Sequence, residues 1–168
     1  MELSRSRTIA LVATGLAAGS LSLAVGALGH GKRHGGELRT SLVPSLPADA
    51  PIHGVSPGGA PWVLDRSRVR LKAKGKDRVR LRVRVEGLVI PPPQGNDTAG
   101  GVTTITASVF CGSSTTPAAT STAKPLSQAG DARIDQKLTM SGACPGPVVL
   151  VHPNGNLTRY IASSRAGH

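Results

Sequence analysis

Aromatic side chains are almost missing from this chain of 168 residues, which holds one Trp, one Tyr and one Phe. A core without them must be filled by Val, Leu, Ile, Ala and the methyl of Thr, which bury less area per residue. The same shortage leaves no stacking platform for unpaired bases and no aromatic face for neutral sugars. No amphipathic helix of convincing length follows the N-terminus, so nothing offers itself to the DNA major groove and sequence-specific nucleic-acid reading is not expected. Acids are few as well, nine Asp and Glu against twenty Lys and Arg. Most lie in expected turns or on outward strand positions, and no H-E-x-x-H zinc frame occurs. The reading is therefore non-catalytic and without a cofactor, with an enzyme of unfamiliar type as the alternative.

The charge that is present is concentrated. Residues 66–85 read R-S-R-V-R-L-K-A-K-G-K-D-R-V-R-L-R-V-R-V, with apolar residues at the odd positions from Val69 to Ala73 and from Val79 to Val85 and cations at the even ones. Successive side chains of a strand point to opposite faces, so this pattern describes a two-stranded ribbon, aliphatic inside and cationic outside. Keeping both apolar sets on one face requires an odd number of loop residues, which Gly75-Lys76-Asp77 supplies. That register sets Lys74 opposite Arg78, Lys72 opposite Arg80, Arg70 opposite Arg82 and Arg68 opposite Arg84. Like charges placed directly opposite destabilise a sheet by some tenths of a kcal/mol per pair. Residues 66–84 hold ten cations and one acid, whereas the rest of the chain from Leu28 holds eight and seven. The excess is thus a patch, and a dense patch attracts polyanions through counterion release and bidentate arginine contacts. Arg68, Arg70, Lys72, Lys74, Arg78, Arg80, Arg82 and Arg84 are the candidate anion-binding residues, with anionic cell-wall polymers or lipid headgroups as candidate partners. The alternative is a ligand-free soluble β domain whose basic face serves solubility and edge protection. No signal bears on oligomeric state.

The N-terminus sets the expected compartment. Arg5 and Arg7 precede an uncharged run at 8–29 rich in Leu, Ala, Val and Gly, the layout of a secretory signal peptide. Val25-Gly26-Ala27 places cleavage after Ala27, giving a signal at 1–27 and a secreted or cell-wall-associated product. An N-terminal membrane anchor is the alternative, since the run is longer than the roughly 20 residues that span a bilayer. Cleavage there would start the chain Leu28-Gly29-His30, whose amine, amides and His30 imidazole can offer Cu(II) or Ni(II) a square-planar nitrogen set, with His34 close by. Residues 28–60 are rich in Gly and Pro and read as a flexible linker. Residues 61–163 form one domain, followed by a tail at 164–168.

That domain reads as all-β. Ile105, Ala107, Val109 and Cys111 alternate with Thr104, Thr106, Ser108 and Phe110. Ala132, Ile134, Leu138 and Met140 alternate with Arg133, Asp135, Lys137 and Thr139. Val148-Val149-Leu150-Val151 reads as a buried strand. With weaker strands at 62–65, 118–124 and 157–163, an antiparallel β-sandwich or barrel of about seven or eight strands is expected. The prolines of 91–93 place 91–101 in a long loop. In an exported chain Cys111 and Cys144 most simply form one disulfide, worth about 3 to 4 kcal/mol for a loop of this length; the alternative is a free thiol beside His152.

Trp62-Val63-Leu64, Val83-Arg84-Val85-Glu86-Gly87-Leu88-Val89-Ile90, Ala107-Ser108-Val109-Phe110-Cys111, Gly130-Asp131-Ala132-Arg133-Ile134 and Cys144 with 148–151 together resemble small secreted proteins of actinobacteria, of the Streptomyces kind. The resemblance covers most of 61–162. It implies export and a β fold, and transfers no site residues.

Overall fold

The computed structural model describes residues 37–140 and 142–164. Among them are twelve strands and no helix: β1 (Leu38–Thr40), β2 (Val43–Pro44), β3 (Ser56–Pro57), β4 (Arg66–Ala73), β5 (Arg78–Glu86), β6 (Thr104–Phe110), β7 (Ala119–Thr120), β8 (Lys124–Pro125), β9 (Ala132–Thr139), β10 (Val148–Pro153), β11 (Arg159–Tyr160) and β12 (Ala162–Ser163). The first sheet runs β1-β4-β5-β9 and is antiparallel throughout. The second runs β2-β12-β10-β6-β7, with β8 also paired to β6. A third, two-stranded sheet joins β3 and β11 in parallel. The all-β expectation is met in a sandwich-like arrangement. The strand number exceeds the expected one because β2, β3, β7, β8, β11 and β12 have two residues each, too few for alternation to appear in the sequence.

Burial follows the aliphatic pattern. Val69, Leu71, Val79, Leu81, Val83, Val85, Ile134 and Leu138 from the first sheet share one buried cluster with Ile105, Ala107, Val109, Val149 and Val151 from the second. The second sheet is covered on its other side too, where Phe110, Val148 and Leu150 meet Ile52, Val55 and Tyr160. Hence β6 and β10 are buried on both faces. Cys111 and Cys144 are disulfide-bonded with Cα atoms 4.8 Å apart, closing the end of β6 onto the segment before β10. The bond removes the free-thiol alternative and is compatible with an extracellular location.

One expected boundary moves. From Glu37 onward the Gly/Pro-rich segment belongs to the fold: β1 extends the basic sheet, β2 pairs with β12, and Leu42, Ile52 and Val55 are buried. Its apolar residues are scattered among turn formers, yet Leu42, Ile52 and Val55 fill places that only the tertiary structure defines. Tyr160, itself buried, donates its hydroxyl to the Ala50 carbonyl at 3.1 Å and fastens this segment down. The strand expected at 62–65 reduces to a bridge between Val63 and Val89. The expected signal at 1–27, the linker at 28–36, and His30 and His34 lie outside the described residues, as do 165–168 of the tail.

Candidate anion-binding face

The register of the ribbon is the one its alternation requires. Arg68 faces Arg84, Arg70 faces Arg82 and Lys72 faces Arg80. Lys74 N donates to the Arg78 carbonyl at 2.8 Å across the three-residue loop. Gly75 takes φ +124 there, a conformation that side chains with a Cβ rarely adopt.

The sheet extends these pairs into rows on both sides. Arg39 of β1 lies beside Arg70, and Asp135 of β9 beside Arg82, giving Arg39, Arg70, Arg82, Asp135 across the four strands. Neighbouring rows read Arg68, Arg84, Arg133 and Lys72, Arg80, Lys137. Arg66 beside Glu86 ends the grid on one side; Lys74 with Arg78 ends it on the other. All eight candidate residues therefore share one face, which also gathers Arg39, Arg66, Arg133 and Lys137. Twelve cations stand there against Glu37, Glu86 and Asp135. Off this face the described residues carry three cations, Lys76, Lys124 and Arg159, and five acids, Asp49, Asp65, Asp77, Asp97 and Asp131. The folded unit is therefore electrically two-sided.

β9 is fixed beside β5 by the turn before it. Leu88 N donates to the Gly130 carbonyl at 3.0 Å, and Gly87 N to Asp131 Oδ1 at 3.1 Å. Gly130 has φ +81, and a Cβ there would press into the Leu88 backbone. Asp135 is thereby held among three guanidiniums. Arg80 donates to it twice, Nε to Oδ1 at 2.7 Å and Nη2 to Oδ2 at 2.9 Å. Arg82 reaches Oδ2 at 3.2 Å and Arg133 at 3.8 Å. The hydrogen bond from Arg80 pulls the Asp135 carboxyl below its ordinary range against the opposing effect of desolvation, with the charges of Arg80 and Arg82 adding to the pull. Glu86 pairs with Arg84 at 2.6 Å and Arg66 at 3.9 Å, and Glu37 with Arg39 at 2.8 Å. Arg68, Arg70, Lys72, Lys74, Arg78 and Lys137 make no ion pair with a described carboxylate. A shallow depression of about 160 Å³ lies among Arg39, Arg70, Lys72, Lys74, Arg80 and Arg82, with Glu37 also on its lining.

Sequence reasoning missed Arg39, Arg133 and Lys137 as neighbours of the ribbon. Arg133 and Lys137 were legible as one outward strand face, but the pairing of β5 with β9 leaves no local signal. Two short stretches fit serine-nucleophile frames by spacing alone. Gly54-Val55-Ser56-Pro57-Gly58 fits G-x-S-x-G, but Ser56 lies on β3, with no helix following as a nucleophile elbow requires. Ser121 and Lys124 fit S-x-x-K, but Ser121 Oγ accepts from Ala107 N at 2.9 Å and donates to the Thr122 carbonyl at 3.0 Å. His152 is fully buried, with Nδ1 2.7 Å from the Arg159 carbonyl and no hydrogen-bond partner at Nε2. It is coupled to neither serine. No group of three or more metal-ligating side chains occurs among the described residues.

Comparison with known proteins finds no matching family model, no matching curated protein and no matching solved structure.

Proposed function

We propose that this chain is a secreted, non-catalytic protein that associates with the cell envelope by binding anionic polymers on its basic sheet face. The observation that carries the proposal is the segregation of charge among the described residues: twelve cations and three acids on one sheet face, three cations and five acids off it. Such an asymmetry steers an anionic partner onto one side of the molecule, and multiple phosphate or carboxylate contacts then hold it. The disulfide supports an oxidising compartment, and the signal-like N-terminus and the resemblance to secreted actinobacterial proteins support export. Stacked cation rows repel one another in the free protein, so a polyanion relieves a cost already present.

The test is retention on purified cell walls followed by a salt titration. Wild-type protein is retained at low salt and elutes as salt rises from about 50 to about 200 mM, the range over which multi-phosphate contacts weaken steeply. Arg70→Glu with Lys72→Glu, two positions outside the ion pairs of Asp135 and Glu86, reduces retention at least about tenfold if two such contacts are lost. Retention unchanged by this reversal would mean that the basic face serves solubility alone.

A further inference from the structure

Building on the polyanion reading, we infer that the ligand is a linear phosphodiester polymer laid along β4 rather than a membrane surface. The face is divided lengthwise. Toward β9, Asp135 engages Arg80, Arg82 and Arg133, and Glu86 engages Arg84. Those guanidiniums already have carboxylate partners, which a ligand would have to displace. Along β4 and the residue just past it, Arg68, Arg70, Lys72 and Lys74 follow one another at alternate outward positions without such partners, whereas elsewhere on the face only Arg78 of β5 and Lys137 of β9 lack them among the described residues. Glu37 lies near enough to feel Lys72 and Arg70, but its hydrogen bond goes to Arg39.

Two residues of a strand advance about 6.6 Å, so these four cations form a single file roughly 20 Å long. An extended polyol-phosphate chain repeats its charge at a comparable interval, one phosphate per short link, and can place successive anions on successive cations. Arg68 and Arg70 can each engage two phosphate oxygens, whereas Lys72 and Lys74 act as point charges. A bilayer would engage the whole plane and would gain from apolar side chains inserted between headgroups. The outward positions of β1, β4, β5 and β9 carry Arg, Lys, Glu, Asp and Thr and no large apolar side chain.

The experiment compares two probes of the same headgroup chemistry, soluble poly(glycerol phosphate) and phosphatidylglycerol vesicles at matched accessible phosphate. It uses two triple variants that each remove three charges. Arg68→Gln with Arg70→Gln and Lys72→Gln is expected to weaken polymer binding more than about tenfold and to lower the salt slope by about 2, three contacts at roughly 0.7 each. Arg82→Gln with Arg84→Gln and Arg133→Gln is expected to weaken binding by a distinctly smaller factor than the β4 triple, since Asp135 and Glu86 already engage those side chains. Equal losses from the two triples, or tighter binding to vesicles than to polymer, would overturn the β4 assignment while leaving polyanion binding intact. Wild-type protein that binds neither probe at low salt would overturn both readings. Should a triple fail to fold, wild-type amide shifts during polymer titration decide: movement over β4 with β9 unchanged supports the assignment, and movement centred on β9 defeats it.

Discussion

His152 occupies the middle layer with no exposed surface and one committed nitrogen. Its Nδ1–H donates to the Arg159 carbonyl at 2.7 Å, while Nε2 faces no acceptor among the described residues. Protonating Nε2 would bury a charge that nothing receives, so burial lowers the pKa, with only partial compensation from the carbonyl. The unfolded chain, with an ordinary histidine near 6.5, therefore takes up a proton before the folded one does. The stability from keeping His152 neutral is complete above about pH 6.5 and is lost as pH falls toward the lower folded value, by at most about 1.4 kcal/mol per pH unit. His152→Asn keeps a donor for the Arg159 carbonyl and removes the titration. Urea unfolding should show the variant less stable than wild type near pH 7 and the gap narrower near pH 5; an unchanged gap would deny His152 this role. The sequence showed a histidine beside a strand, but whether it was a base or a core residue depended on which segments cover β10.

At the level of elements, the division between β4 and β9 rests chiefly on Asp135, with Glu86 holding Arg84. Asp135 is the only carboxylate inside the grid of described cations, with Glu37 and Glu86 at the margins. Replacing Asp135 with Asn would free Arg82 and Arg133 and leave Arg80 without its charged partner. The expected result is a lower unfolding midpoint together with tighter polyanion binding, read as a salt slope steeper by about 1 to 2. A variant with an unchanged slope would show that these arginines stay unavailable for other reasons. The depressed Asp135 pKa acts in a different pH window from His152. Its contribution is present above the unfolded value near 3.9 and disappears as pH falls through the lower folded value. Period-two alternation disclosed β4, β5, β6 and β9 and the turn at Gly75, because strands of seven to nine residues repeat often enough to be seen. The partner of Arg80, 55 residues away, was not legible. Neither were the two-residue strands of the supposed linker, whose apolar residues have no periodicity.

For the molecule as a whole, the scarcity of aromatics has the structural result anticipated from composition. The main cluster is built mostly of Val, Leu, Ile and Ala, with Trp62 its only Phe, Tyr or Trp. Phe110 and Tyr160 belong to the second cluster, where His53 stacks on Phe110 at 5.0 Å between ring centroids. A core of small residues gives the covalent link more weight. Cys111→Ala with Cys144→Ala opens a loop spanning 33 positions and should cost about 3 to 4 kcal/mol in the chain-entropy view. Urea midpoints of the double variant should fall accordingly, with polymer affinity at low temperature retained because the basic face lies on the other sheet. A loss below about 1 kcal/mol would indicate that the reduced chain keeps the same segments together unaided.

The pairing of β4 with β5 also acts as a parity check on the folding chain. If the two strands slipped by a single residue, one of them would turn its arginines into the aliphatic cluster and its valines into water, an error too costly to persist. A slip by two residues keeps the parity but moves the turn off Gly75-Lys76-Asp77, where Gly75 supplies the φ of +124. The side chains offered to a ligand in the finished protein are thus also the ones that exclude its nearest misfolded alternative. Neutralising them wholesale would weaken adhesion and, at the same time, the specification of the sheet that displays them.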